Sequence, residues 1–328
     1  MKRYFFCVLV CLTVGCKKSA VTRNTASTET ILEYIAQAPQ LTLLNAAITR
    51  CHLDTVFSSG GPFTIFCPTD TAFLAAGLTA GRIAAYDPDS LTVLLEYNML
   101  SGKFSSADLV GFLTEQVTSL DTAYKPFVTK NYYGLFINGT QVTSEVELGD
   151  GVVLTIGSVN FVPTQTVLQI LDSLPELSFF AAAVNLVPQF QTVFSTWDPT
   201  GFGSRGVPGF TVMAPTNTAM MAFGYPSVDS VMQTDPNTLY NTFAGATING
   251  FMFTSSFLGG FTIDANGNND QPEFYGGVSF AVAKDGLTIL LNYPASAVGG
   301  PAQVSPHIIH PNILGTNGVI QEIDQVIH

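Results

Sequence analysis

A short string of residues occurs twice in this chain, and the duplication constrains the fold more than any other sequence feature. The first copy reads GPFTIFCPTDTAF at residues 61–73, and the second reads PGFTVMAPTNTAM at residues 208–220. In each, the apolar residues predict a buried strand, and the proline ends strand pairing because it has no N–H to donate. The next Thr, Asp or Asn can cap the first turn of a helix. The string therefore predicts a strand-to-helix corner that serves architecture in both places.

The segments around this string repeat in the same order. Residues 30–57 are similar to residues 166–194, and GVVLTIGSV at residues 151–159 is similar to GVIQEIDQV at residues 318–326. The offset between the copies grows at insertions that look like loops, as expected for a duplicated domain. A chain of 328 residues with 47% hydrophobic residues has enough apolar content for two cores.

These repeated segments resemble the fasciclin (FAS1) domain family. Its first conserved segment is similar to both copies of the string, and its closing segment is similar to NGVIQEIDQVI at residues 317–327 and, less closely, to residues 150–161. The resemblance implies an α+β fold with two tandem FAS1-like domains, each a small, mostly antiparallel β-sandwich or wedge with packed helices. We place the two domains at residues 30–162 and 163–328.

The chain departs from the family pattern in the middle of each copy. The family usually has a Tyr-His pair there that is often linked with adhesive function. The first copy has Tyr97-Asn98, and we match Ala246-Thr247 of the second copy to the same place. A receptor-binding role that depends on the histidine is therefore not expected.

The N-terminus predicts export and a lipid anchor. Lys2 and Arg3 precede an apolar run that is too short to span a bilayer, and LTVGC ends this run. LTVGC resembles the bacterial lipobox, which implies a signal peptide at residues 1–15, lipid attachment at Cys16 and a lipidated tether at residues 16–29. We expect a bacterial envelope protein, anchored at the outer membrane and facing the periplasm or the cell surface. The alternatives are an ordinary signal peptide and an uncleaved anchor.

Charge and cysteine content narrow the possible partners. The formal net charge is −12 and no cluster of Lys and Arg is present, so we expect no nucleic-acid partner. Cys51 and Cys67 remain after the predicted lipidation and cleavage. They are interpreted as buried free thiols, although an extracytoplasmic location leaves a disulfide open.

None of the motifs in the chain predicts a catalytic residue or a cofactor. GFGSRG at residues 201–206 lacks the preceding strand and following helix of a dinucleotide site. HIIHP places His307 and His310 between prolines, which favours loop histidines over a metal pair on a helix. One loop has oxygen-bearing side chains at a spacing that could surround a calcium ion, but its composition is more typical of a polar turn. These residues are Asp264, Asn266, Asn268 and Asp270.

Insertions in the second copy, at residues 195–209 and 264–277, are the predicted binding loops because binding surfaces usually lie on loops. The candidate residues on them are Trp197, Phe202, Arg205, Phe274 and Tyr275. Other aromatic residues raise the possibility of a platform for glycans or proteins, although most of them are expected in the core. They are Tyr132, Tyr133, Phe136, Tyr225, Phe251, Phe253, Phe257, Phe261, Phe274 and Tyr275. We consider three functions: adhesion to an envelope or extracellular protein or polysaccharide, glycan capture for a polysaccharide-uptake system, and, least favoured, an envelope enzyme.

Overall fold

The computed structural model describes most of the chain. The described residues are 28–109, 114–195, 209–258, 279–282, 287, 289–292 and 305–327. The predicted signal peptide, Cys16, the weak calcium-like loop and all five candidate residues of the predicted binding loops lie outside these ranges. Those predictions, and the domain boundaries, stay predictions.

The first copy begins with helices that pack on one face of a sheet. They are α1 (Ile31–Gln37), α2 (Thr42–Arg50), α3 (Asp54–Ser59), α4 (Asp70–Ala75), α5 (Ala80–Ala85) and α6 (Pro88–Tyr97). Side chains cap several of these helices at the N-terminus: Thr30 and Glu33 form a capping box at α1, Thr69 caps α4, and Asp87 caps α6 just before Pro88. Short helices of this kind depend on such caps and on tertiary packing.

The sheet of the first copy has seven strands in the order β2-β1-β7-β6-β5-β4-β3. The strands are β1 (Phe63–Pro68), β2 (Met99–Ser101), β3 (Glu115–Gln116), β4 (Phe127–Asn131), β5 (Gly134–Ile137), β6 (Thr140–Leu148) and β7 (Gly151–Ile156). Every pairing is antiparallel except the parallel pair β1–β7. Because successive side chains of β1 point to opposite faces, Ile65 packs in the helix-side core and Phe66 in a second core beneath the sheet.

The second copy repeats the order of helices and strands of the first copy as far as its second strand. Its helices are α7 (Val167–Ser173), α8 (Ser178–Leu186), α9 (Pro188–Ser195), α10 (Asn217–Phe223), α11 (Val228–Met232), α12 (Pro236–Phe243) and α13 (Thr254–Leu258). Its strands are β8 (Phe210–Pro215), β9 (Thr247–Asn249), β10 (Ser279–Val282), β11 (Ile289–Asn292), β12 (Ile308–Leu314) and β13 (Gly318–Ile323). After β9 the second copy has a helix, α13, where the first copy has β3. Four strands form a sheet in the order β12-β13-β8-β9, and β10 pairs with β11.

The two copies share the order of four strands, β2-β1-β7-β6 in the first and β9-β8-β13-β12 in the second, as expected for the duplicated domain that the sequence predicts. In each, the strand of the repeated string pairs in parallel with the closing strand and in the same register: Phe63 pairs with Gly151, and Phe210 with Gly318. A side chain at Gly151 would lie 1.9 Å from the Phe63 carbonyl oxygen, so glycine is required by the close approach of the strands. The corner is an architectural joint in both copies.

Two expectations need correction. The prolines around His307 and His310 favoured a loop, but His310 and Pro311 lie in β12. This strand lies at one end of the four-stranded sheet, and edge strands tolerate proline because its missing N–H is not needed for pairing. The match of Ala246-Thr247 to Tyr97-Asn98 is also wrong, by one residue.

The strand register gives the correct match between the copies. Met99 pairs with Ile65 in the first copy, and Thr247 pairs with Val212 at the same place in the second. Thr247 is therefore the counterpart of Met99, and Ala246 is the counterpart of Asn98. The second copy still lacks the family histidine.

Within the described residues, no single helix has the length and apolarity needed to cross a membrane. One pair of helices, Val167–Ser173 and Pro175–Leu186, is long and apolar enough when the two are counted together, but they meet at a bend of 100°.

Candidate functional site at the junction of the two copies

Tyr97 and Asn98, which stand where the family has its Tyr-His pair, are buried at the end of α6. Tyr97 has no exposed surface, and its hydroxyl accepts a hydrogen bond of 3.0 Å from the Asn138 side-chain amide. Burial raises the pKa of Tyr97 to about 12, against the lowering effect of this hydrogen bond. Asn98 donates its amide to the carbonyl oxygens of Leu94 and Asn160. In this chain the pair therefore connects elements of the fold and presents no group to a partner.

Asn138 connects Tyr97 to the hairpin β5–β6. Asn138 and Gly139 form its two-residue turn with φ of 48° and 80°, the left-handed conformation that an Asn-Gly turn supplies. The Asn138 side-chain oxygen accepts from the Phe127 backbone N–H at 2.8 Å, and the Asn138 N–H donates to the Phe127 carbonyl at 2.8 Å. Tyr97 thus positions Phe127 through one asparagine.

Phe127 is the apolar centre of the contact between the two copies. Its ring lies 4.6 Å from the ring of Phe251 and 5.4 Å from that of Phe253, measured between centroids. Val319 of β13 completes the buried cluster, and Leu314 packs at its edge. The start of β4 in the first copy therefore packs on the segment that follows β9 of the second.

Polar contacts surround this apolar cluster. Thr114 and Ser256 share a hydroxyl hydrogen bond of 2.7 Å, and the Asn131 amide donates to the Ser255 carbonyl at 2.8 Å. Gly139 lies so close to Asn312 that an added Cβ would be 2.5 Å from the Asn312 amide nitrogen. An apolar centre with a polar rim is the usual anatomy of a specific interface.

Beside this junction, two tyrosines extend from the β4–β5 turn. Tyr132 is 96% exposed and Tyr133 47% exposed, and their rings meet edge to face at 5.6 Å. The Asn131 side-chain oxygen accepts from the Tyr133 N–H at 2.9 Å, and the Gln141 amide donates to the Tyr133 carbonyl at 3.1 Å. We call Tyr132 and Tyr133 the tyrosine tip; it is an exposed aromatic surface on a hydrogen-bonded turn.

The two histidines of HIIHP each contact a carboxylate, His310 that of Glu322 in β13 and His307 that of Asp324, which directly follows β13. His310 Nδ1 pairs with Glu322, whose side chain is 1% exposed, whereas His307 Nδ1 lies 3.3 Å from Asp324. Among the described residues no group of three or more His, Cys, Asp or Glu side chains could hold a metal ion. The His310–Glu322 pair joins β12 to β13, and the His307–Asp324 pair joins the residues beside the ends of these strands.

Cys51 and Cys67 are free thiols, as the sequence favoured. Burial raises the pKa of the Cys67 thiol well above its ordinary value and also raises the pKa of the partly buried Cys51. A raised pKa keeps a thiol protonated and unreactive at neutral pH. Neither cysteine has the environment of a nucleophile.

Comparison with known proteins identifies similarity to one family. The Fasciclin domain model matches residues 39–160 and 175–328. Protein sll1483 of Synechocystis is 30% identical over 151 residues, covering 45% of this chain and 82% of that protein. An uncharacterized Synechocystis protein, sll1735, is 33% identical over 132 residues, covering 39% of this chain and 95% of the relative.

A solved FAS1 domain pair from the insect cell adhesion molecule fasciclin I also matches. The match covers 88% of this chain and 96% of that one, at 14% identity and a TM-score of 0.39.

Proposed function

The chain belongs to the fasciclin domain family, and on this premise we propose that it is a non-enzymatic, lipid-anchored protein of the bacterial cell envelope that binds another macromolecule. Fasciclin domains are typically adhesion-related. The partner class is an extracellular or envelope protein or a polysaccharide. Because Tyr97 and Asn98 are buried, we expect the contact surface of the first copy to lie elsewhere.

The tyrosine tip is the observation that supports this proposal. Tyr132 exposes nearly its whole side chain to solvent, a large apolar surface that gains free energy when a partner covers it. The turn that carries it is held by Asn131 and Gln141, so little conformational entropy is lost on binding. Rigid tyrosines with neighbouring amides are typical of binding surfaces.

A pull-down of residues 28–328 against arrays of matrix proteins and glycans tests the proposal. We expect the double substitution Tyr132→Ala and Tyr133→Ala to abolish capture of the bound partner. The matched control is Leu74→Ala, which removes an apolar side chain that is 55% exposed elsewhere on the first copy. Equal capture by the tip variant and the unchanged protein would exclude the tip as the contact surface.

Glycan capture for a polysaccharide-uptake system is the second candidate. The tip favours it because an exposed tyrosine ring can stack on the apolar face of a sugar. Retention of the unchanged protein on a polysaccharide column, lost in the tip variant, would select this function. Capture on the protein array alone would select adhesion to a protein.

The lipid anchor is proposed from residues 1–16. Replacing Cys16 by Ser removes the thiol that would carry the lipid, so we expect the protein to move from the membrane fraction to the soluble fraction. Retention of the Cys16→Ser protein in the membrane fraction would favour an uncleaved N-terminal anchor.

A further inference from the structure

A cavity of about 200 Å³ opens between α9 and α12 of the second copy. Its lining is formed mainly by Phe190, Val193, Phe194, Tyr240, Ala244 and Thr247. Thr247 lies on β9 and is 3% exposed, so the floor of the cavity is the sheet itself. The cavity is remote in sequence from the tyrosine tip, which belongs to the first copy.

Aromatic rings form the walls of this cavity. The rings of Phe190 and Phe194 are stacked at 5.7 Å with planes 15° apart, and Tyr240 lies 5.4 Å from Phe190. Phe194 stacks in turn on Phe210 of β8 at 4.9 Å. The rings of Phe190, Phe194 and Phe210 are therefore nearly parallel and held against β8, whereas the Tyr240 ring is tilted by 32°, so fixed aromatic side chains border the cavity.

The first copy provides an internal comparison, since α6 and β2 match α12 and β9. The strand register makes Met99 the counterpart of Thr247, and Met99 is fully buried. The Leu120 N–H bonds the Met99 carbonyl at 2.7 Å, and Leu120 packs against the helix-side core. The second copy thus has a small residue where the first fills its core with a long one.

A second position beside the cavity also carries a shorter side chain than its counterpart in the first copy, although that counterpart is only partly buried. Pro88 and Pro236 begin the matched helices, so Ala244 is the counterpart of Glu96. The smaller side chains of Thr247 and Ala244 both line the cavity. The cavity opens to solvent and its lining is mainly apolar, so a guest that covers this surface is favoured by the hydrophobic effect.

We propose that this cavity is a binding site for a small apolar molecule with a single aromatic ring. Its volume is sufficient, since an apolar cavity of roughly 150 Å³ in another protein stays dry and binds benzene. Burial of the ring removes apolar surface from water, and Phe190, Phe194 and Tyr240 supply aromatic contacts to it. This small-molecule site is separate from the macromolecular contact of the proposed function.

Fluorine NMR with fluorobenzene as the probe tests the site. We expect the fluorine line of fluorobenzene to broaden and shift on addition of the protein, and excess benzene to reverse the change. Thr247→Met restores the residue of the first copy and fills the cavity, so it should abolish the effect. Thr238→Met, the same change at an exposed position of α12, is the matched control and should retain it.

Two further variants make the result decisive. Ala244→Leu fills the cavity from the helix side and replaces Thr247→Met if that protein does not fold, as judged by its thermal transition. The tip variant Tyr132→Ala, Tyr133→Ala should bind fluorobenzene unchanged, which separates this site from the proposed function. Absence of any line change with the unchanged protein, or full binding by folded Thr247→Met and Ala244→Leu proteins, would overturn the proposal.

Discussion

The carboxylate of Asp70 accepts a hydrogen bond of 2.8 Å from the backbone N–H of Leu43, 27 residues earlier in the chain. Asp70 also accepts from the Thr42 hydroxyl at 2.6 Å. The corner of the repeated string therefore caps α2, whose own N-cap residue, Leu41, has no side-chain cap. In the second copy, Asn217 accepts from the Phe179 N–H at 3.0 Å in the same way.

The first prediction concerns this long-range cap. Asp70→Ala leaves the Leu43 N–H without its acceptor and should lower the free energy of unfolding by about 1 to 2 kcal/mol. Asp70→Asn, which copies the residue of the second corner, should lose less because an amide oxygen can accept the same bond. Urea denaturation of both variants measures the difference. Equal stability of Asp70→Ala and the unchanged protein would show that the contact has no energetic role.

The second prediction concerns alkaline pH. The pKa of Tyr97 is about 12 in the folded protein and near 10 when unfolded, so above pH 10 the unfolded state binds fewer protons than the folded one. Stability contributed by the buried phenol is therefore present below about pH 10 and is lost as pH rises toward 12. The loss should be on the order of 2 kcal/mol.

Chemical denaturation at a series of pH values between 8 and 12 measures this loss. Tyr97→Phe should flatten the alkaline decrease, since the titrating group is gone, although the variant starts from lower stability because the Asn138 amide loses its acceptor. Tyr132→Phe is the control at an exposed position and should keep the profile of the unchanged protein. An unaltered profile in Tyr97→Phe would contradict the assignment.

The repeated corners illustrate what the sequence could predict. The strand, the proline and the Thr69 cap follow from local chemistry, and all of them occur in the structure. The sequence offered either Thr69 or Asp70 as the cap of α4. It could not show that Asp70 caps α2 instead, because that contact joins residues that are distant in the chain.

The junction was missed for a similar reason. Asn138-Gly139 is a strong local signal for a two-residue hairpin turn, and it could have placed that turn. The sequence around Phe127, Phe251 and Phe253 has the same apolar pattern whether these residues pack inside one domain or between the two copies. The interface depends on how two completed domains meet, which periodicity does not encode.

The third prediction concerns the buried carboxylate of Glu322. His310→Ala removes the imidazole that pairs with it, and an unpartnered buried carboxylate is costly. We expect a loss of about 1 to 3 kcal/mol, moderated because the His310 side chain is 68% exposed. Thermal or urea denaturation measures the loss.

A second substitution separates the loss of the pair from loss of packing. Thr155 is the counterpart of Glu322 in the first copy, because it pairs with Cys67 as Glu322 pairs with Ala214. In the double variant His310→Ala, Glu322→Thr, most of the lost stability should return, since the buried charge is gone. A double variant that is as unstable as the sum of both single variants would show that the pair does not interact.

The fourth prediction concerns the contact between the copies. Phe127→Ala removes the ring that packs on Phe251 and Phe253, and a buried Phe contributes about 3 to 5 kcal/mol when truncated to Ala. Because Phe127 lies at the junction, this loss should uncouple the copies so that they unfold in two separated calorimetric transitions.

Phe57→Ala, which opens a cavity inside the first copy alone, is the control and should lower the transition of that copy without exposing the junction. Hydrogen exchange of the Phe253–Phe257 segment distinguishes the two, since it should accelerate in Phe127→Ala and stay slow in Phe57→Ala. Slow exchange of that segment in both variants would mean that the second copy keeps this structure without the first, and that the junction contributes no coupling.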